Sequence, residues 1–512
     1  MKKNLQAGLL LLVSLFFILS GCGKDSSNQA QTNTDTPKKD TLTIGLDAEP
    51  PSLDPHRSSS SVDRQVLQGV YSKLLEVNED LEIVPSLVKE WDISDDGKTY
   101  TFSLREDVTF HDGTDFNAEA VKFNFERMLD PDFGSPRKSE LELIDQVNVV
   151  NETTLEVVLT EPYAPFLSVL TDRAGMMISP TAIQELGEDI ANKPVGAGPY
   201  KFVERVAQSH ITLTRNDDYW GEAPKIKEVV YKTITDENIR VTNMTSGDLD
   251  IVTTIGFKDI AQLEKNAGIT VSRVDGLGFQ GMHLNMSREP FNNKNIREAI
   301  NIGIDRQALA SVVFHGGAVP SVSPFPPSSW ANNSDIAIPE GDIEKAKQLV
   351  KESGIENPSF TIKIAPSETE KQTAQMLQSM LKEIGITMDI EMVERGKLIE
   401  DEFSGNFDVT RLGWSGRTDP DGNAYNYFVS DGVYNFTGIN NDEMDRLLNE
   451  ARTSVDQKVR AENYQTFSEI LFEEAPYIFL YHEQDVKVMK KNVKGFTHVP
   501  DGIVRPETLY FE

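Results

Sequence analysis

Two hydrophobic rhythms take turns along this chain, one of period two and one near 3.6 residues. Tyr100, Phe102 and Leu104 alternate with polar neighbours, which predicts a strand with one buried face. Just before them, Asp95-Asp96-Gly97-Lys98 carries the Asp-Gly pair of a tight hairpin turn. Leu42-Thr43-Ile44 predicts a short strand leading into a Pro- and Ser-rich loop over 47–61. Met282-His283-Leu284-Asn285-Met286 alternates like another strand. Residues 118–128 read as a helix. Ile296, Ala299, Ile300, Gly303 and Ile304 recur at helical spacing, as do Ile343, Ala346, Leu349 and Val350, with Gly354 suited to stop the second helix. Met444, Leu447, Leu448 and Ala451 follow Asn440-Asn441, and a longer helix over 455–474 ends before Pro476. The Pro/Ser stretch 320–329 reads as a surface loop. Interleaved strands and helices predict an α/β protein, and 512 residues suit about three domains.

The first forty residues follow neither rhythm. Lys2 and Lys3 precede an apolar run over 9–19, broken by Ser14, too short for a spanning helix and matching a secretory signal. It ends in Leu19-Ser20-Gly21-Cys22, which resembles the lipobox of bacterial lipoproteins. The expectation is a signal peptide over 1–22 and lipid attached to Cys22. Residues 23–40 hold almost no apolar side chains and predict a disordered tether, spanning roughly 25 Å as a flexible coil. The protein is therefore expected on the outer face of the cell membrane, or on the periplasmic side in a two-membrane host.

Composition narrows the function. Hydrophobic residues make up 38%, enough for a sizeable core. Asp plus Glu number 81 against 50 Lys plus Arg, a formal charge of −31 that repels phosphate backbones and argues against a nucleic-acid partner. Cys22 is the one cysteine, so internal disulfides, Cys-based zinc sites and thiol redox chemistry are excluded. Enzyme motifs fail on context. Gly276-Leu277-Gly278-Phe279-Gln280-Gly281 has dinucleotide-loop spacing but runs into a strand pattern, where the pyrophosphate needs a helix start. Gly413-Trp414-Ser415-Gly416 approaches a nucleophile elbow, yet Arg417 replaces its last glycine. The seven histidines form no helical His-x-x-x-His pair.

The stretch from Lys89-Glu90-Trp91 through Tyr100–Arg105 to Phe110-His111-Asp112-Gly113 closely resembles the signature of the family 5 extracytoplasmic solute-binding proteins, the peptide/nickel group that serves ABC importers. Ser52-Leu53-Asp54-Pro55, Gly196–Tyr200, Tyr219-Trp220, Ile304-Asp305-Arg306, Trp414 through Asp421 and Ala475-Pro476-Tyr477 follow in the family's order. The resemblance covers 41–512; Ala197 stands where relatives often carry Thr or Ser. It implies a two-lobed periplasmic-binding-protein fold (class II, cluster C type) with the ligand cleft between the lobes. Lobe I would comprise 41–75, 191–277 and 482–512, with an extra domain inserted at 76–190, and lobe II 278–481. The chain would cross between lobes near 275–280 and 481–485.

The resemblance implies a monomeric binder rather than an enzyme, with no cofactor, metal or catalytic residue. It captures peptides or peptide-like solutes by lobe closure and delivers them to membrane permease subunits. Anionic non-peptides (an opine, a sugar phosphate, a metal chelate) are alternatives, and a secreted hydrolase using Asp419 and Asp421 is the reading from another class. In dipeptide-binding relatives the Trp–hydroxyl–Gly triplet precedes an aspartate that pairs with the peptide's amino group. Here Trp414-Ser415-Gly416 precedes Arg417, which repels an ammonium and attracts a carboxylate or phosphate. Three readings stand open: Arg417 binds an anionic group, Asp419 binds an amine, or the two pair with each other. Trp414 and Ser415 would line the cleft, and Arg57 and Ser58 could reach it from the other lobe.

Overall fold

The computed structural model describes residues 39–512. The predicted signal peptide, Cys22 and the tether up to residue 38 lie outside the described residues. Lys39 and Asp40, the last two residues of the predicted tether, are tied to the body. Lys39 Nζ donates to both Asp250 oxygens at 2.6 Å, and Asp40 accepts from Lys227 Nζ at 2.6 Å.

One strand organises the fold. Tyr477–Lys490 is 14 residues long and changes partners along its length. Its first half runs antiparallel to Gln280–Leu284 and Ala318–Pro320, its second half to Ile269–Asp275 and Ile251–Val252. Beyond the first half lie Val409–Thr410 and the parallel pair Ser359–Ile364 and Thr387–Met392. Beyond the second half lie Thr41–Leu46, parallel to Glu228–Thr233, and the antiparallel strands His210–Arg215 and Tyr200–Val206. The result is a two-lobed α/β protein in which the lobes are joined by the middle of this strand and by residues 276–279. Each lobe buries its own core, around Leu42, Ile44 and Val229 in one, and around Leu284, Ile300 and Leu377 in the other.

A separate antiparallel sheet is made of Val88–Ile93, Thr99–Leu104, Thr154–Leu159 and Ile144–Asn151. Tyr100, Phe102 and Leu104 point inward as their alternation predicts, meeting Leu155, Val157 and the helix Ala118–Leu129. Gly97 takes a positive φ of +69° at the Asp-Gly turn, a conformation glycine adopts without penalty. The helix begins at Asn117, whose side chain accepts from Ala120 N at 3.0 Å. Helices Lys294–Gly303, Ile343–Glu352, Asp442–Thr453 and Gln457–Glu474 likewise form where the apolar spacing places them.

Two expectations are corrected. The Pro/Ser stretch is not a surface loop: residues 321–326 are buried. Arg306 draws the segment inward. It is fully buried and donates to the carbonyls of Asn301, Ser321 and Phe479 at 2.8, 3.0 and 2.7 Å. Phe325 then packs on Tyr464 and Phe467, and burying such a ring is worth about 1.5–3 kcal/mol. The second correction concerns Gln280–Leu284, which is buried on both faces rather than alternating, because it pairs on both sides and is covered by helices.

Glycines 276 and 278 have a specific use at the crossing between lobes. A Cβ on Gly276 would lie 2.6 Å from Glu483 O, and one on Gly278 only 2.1 Å from Trp414 O. Backbones approach there too closely for any side chain.

Candidate functional site

A cavity of about 140 Å³ lies where residues 136–172, beside the separate antiparallel sheet, face the loop after Val409–Thr410. That loop is pinned to the crossing segment by a reciprocal pair of hydrogen bonds between Phe279 and Trp414, at 3.0 and 2.9 Å. Gly416 follows with φ +83°, its Cα facing Leu277 so closely that a Cβ would sit 2.3 Å from a backbone carbon. Asn423 locks the turn by accepting from Arg417 N at 2.9 Å and donating to Leu277 O at 3.0 Å. The Arg417 side chain is thereby held in the cavity lining.

Trp414, Ser415, Arg417 and Asp419 all line this cavity, but they do different things. The Arg417 guanidinium stacks 4.3 Å from the Trp414 ring centre and donates to Gly416 O at 2.8 Å. It forms no ion pair among the described residues. Burial pulls it below its ordinary pKa, against the opposing charges of Glu140 and Asp172. Asp419 is not its partner. Arg460 takes both Asp419 oxygens, at 2.6 and 3.0 Å, and Arg452 does the same to Asp421 at 3.0 and 2.9 Å. Both carboxylates suggested for hydrolysis are thus committed to guanidiniums.

The opposite wall holds residues that the sequence reading missed. Arg64, on the helix Ser61–Val70, donates through Nε to Asp172 at 3.1 Å. Arg137 pairs with Glu140 at 2.5 Å. Burial alone would raise the Asp172 carboxyl, but Arg64, Arg173 and Arg417 together hold it well below the usual carboxylate range. Arg64 shares its helix with the buried stripe Val62, Val66, Leu67 and Val70, and its position reads as the solvent face. No signal in the sequence separates it from a surface arginine.

Arg57 and Ser58 are not part of this wall. Ser58 is buried and donates to Asp63 at 2.8 Å. Arg57 is turned outward, 4.5 Å over the Phe133 ring and 3.8 Å from Glu188. The two walls touch: Ser168 Oγ meets Thr418 Oγ1 at 2.6 Å, and Ala164 N donates to Arg452 O at 2.9 Å.

A second cavity, of about 280 Å³, adjoins the first on the hinge side and shares Arg64, Leu277, Trp414, Ser415, Pro500 and Asp501 with it. It reaches Asp47, Thr253, Glu483 and Gln484. A charged, two-chambered cleft between lobes that share one strand defines a receptor for a small solute.

The family model for bacterial extracellular solute-binding proteins, family 5 Middle, matches residues 82–436. This chain belongs to that family of extracytoplasmic solute-binding proteins, which are not enzymes. It is similar to the glutathione-binding protein GsiB of Escherichia coli, 30% identical over 464 residues that span 88% of this chain and 90% of that protein. Among solved structures it resembles the periplasmic binding protein DppA of Helicobacter pylori in complex with the peptide STSA. That pair shares 30% identity and a TM-score of 0.82, covering 93% of this chain and 98% of DppA. It also resembles AgaA of A. tumefaciens R10 in complex with agropinic acid, at 28% identity and a TM-score of 0.80, covering 92% and 99%. Among the described residues no helix is long and apolar enough to cross a membrane.

Proposed function

We propose that this chain is the lipid-anchored, monomeric receptor of an ABC importer, and that Arg417 receives an anionic group on a peptide or peptide-like solute. The observation that carries this reading is Arg417 itself. Its guanidinium stands in the cleft wall without an ion-pair partner among the described residues, while the neighbouring Asp419 is engaged by Arg460. A charge held in such a place is strengthened by the low local dielectric. One charge-assisted hydrogen bond to it contributes about 1.5–3 kcal/mol, roughly ten- to hundredfold in affinity.

The solute would touch both walls and so favour the closed arrangement over a pre-existing open one. Contacts such as Ser168–Thr418 belong to the closed arrangement, in which the receptor docks on its permease and releases the solute unchanged. Lobe I (41–75, 191–277, 482–512, with 76–190 inserted) then turns against lobe II (278–481). Leu19-Ser20-Gly21-Cys22 supports lipid on Cys22. GsiB, named for glutathione, and AgaA, seen with agropinic acid, are relatives whose solutes are acidic, in keeping with a cation at this position.

Native mass spectrometry of freshly purified protein would identify the retained cargo. Calorimetric titration of that cargo is expected to show at least tenfold weaker binding to Arg417→Ala. A cargo without an acidic group, or equal affinities, would overturn the reading.

A further inference from the structure

The two chambers of the cleft leave opposite kinds of group unsatisfied. In the first, the unmatched groups are donors. Arg417 has no ion-pair partner among the described residues, and Arg137 Nε is buried with no acceptor, as is Trp414 Nε1 on the wall that both chambers share. In the second, they are acceptors. Asp47 and Glu483 form no ion pair among the described residues, and Gln484 Oε1 is buried with no donor. The other charges there are already committed, Arg64 to Asp172 at 3.1 Å. Lys487 Nζ donates to Asp485 at 2.6 Å and to Thr253 O at 3.1 Å; His498 meets the second Asp485 oxygen at 2.6 Å, and Arg505 holds Asp501 at 2.8 Å. Arg411, whose charge reaches Glu483, is paired with Glu370 at 2.6 Å.

Arg137 Nε, Trp414 Nε1 and Gln484 Oε1 are the buried ones, and a buried donor or acceptor without a partner costs about 1–3 kcal/mol; with the Arg417 cation in the first chamber and the exposed carboxylates of Asp47 and Glu483 in the second, the chambers suit ligand groups of opposite charge. We infer that the solute is dipolar and is held in one orientation, with its anionic group at Arg417 in the first chamber and an ammonium or guanidinium at Glu483, Asp47 and Gln484 in the second. The inference rests on the reading of Arg417 as the anion receptor and adds the cationic end and the direction. A peptide would lie with its carboxylate, not its amine, at the loop that carries Trp414.

The test uses the mature protein, calorimetric titration and two probes with one amine and one carboxylate each, the tetrapeptide Ser-Thr-Ser-Ala and the tripeptide Ala-Ala-Ala. Each is compared with its N-acetylated and C-terminally amidated forms. Either cap is expected to weaken binding at least tenfold. In Arg417→Gln, amidation should cost nothing further while acetylation still does. In the Asp47→Asn, Glu483→Gln double variant, the pattern should reverse. Both residues of that pair are exposed, so the double variant is expected to fold, and its melting temperature checks this.

If amidation costs the same in wild type and Arg417→Gln, the anion receptor and the orientation fall together. If amidation couples to Arg417 but acetylation does not couple to Asp47 and Glu483, the orientation alone falls. Failure of both zwitterions to bind at millimolar concentration also overturns it.

Discussion

Arg460 grips Asp419 through two hydrogen bonds of 2.6 and 3.0 Å, from a helix turn 41 residues further along the chain. This one pairing separates two neighbours on the same loop: Asp419 is held by Arg460, while Arg417 lines the cavity without an ion-pair partner among the described residues. The two side chains are 8% and 14% exposed, and removing one partner of such a pair costs about 3–5 kcal/mol. Asp419→Asn is therefore expected to lower the melting temperature clearly in a thermal scan while leaving solute affinity within a few fold. Unchanged melting with abolished binding would make Asp419 a ligand contact instead.

Asp172 offers a gain that misfolding cannot imitate. Its carboxylate sits among Arg64, Arg173 and Arg417 and offsets part of their charge. Removing that charge in Asp172→Asn leaves a more positive wall, and titration with an acidic solute should tighten by roughly three- to tenfold. Weaker binding would show that Asp172 itself holds a cationic part of the ligand.

The hydroxyl contact between Ser168 and Thr418 spans the cleft at 2.6 Å. One such bond contributes about 0.5–1.5 kcal/mol, so Thr418→Ala should weaken binding roughly two- to tenfold by favouring the open arrangement. Small-angle scattering should report a larger radius of gyration for the unliganded variant, and the same radius as wild type once saturated. Identical profiles for both proteins in both states would reject the closing contact.

Acid should loosen the fold through two buried histidines. Burial pulls His56 and His482 down from 6.5 to about 4; Asp54 opposes this at His56 and Arg127 and Arg137 reinforce it, while Asp275 opposes it at His482. The unfolded chain protonates them from about pH 6.5 and the folded protein only near 4, so stability is fully present above 6.5 and lost as pH falls toward 4. At about 1.4 kcal/mol per unit, each costs at most about 3.5 kcal/mol over that window. Melting temperature measured from pH 7.5 to 4.5 should fall, and His482→Gln should flatten the fall. A flat wild-type profile would be falsifying.

Cys22→Ser is expected to move the protein from the membrane fraction to the medium or periplasm, with solute affinity unchanged in the purified protein. Retention of the variant on membranes, read by fractionation and immunoblot, would remove the lipid anchor from the proposal.

What could be read from the sequence is what is local. The strand Thr99–Leu104 and the helix stripes were legible because each carries its own period, and the Trp414 loop because its motif is contiguous. Residues 321–326 were not, since the groups that bury them, Arg306 and the Tyr464 helix, lie far away in the chain. The far wall failed for the same reason. Arg57 and Ser58 were the expected residues, but Ser58 folds inward on Asp63, and the cavity is lined by Arg64, seven positions after Arg57.

Because Tyr477–Lys490 follows every strand it pairs with and completes a sheet in each lobe, neither half can finish before it is made. The early strands wait, edges unpaired, for a segment synthesised after them all. Truncation before residue 477 would therefore cripple both halves at once rather than remove a tail, and the molecule has no smaller version of itself to fall back on.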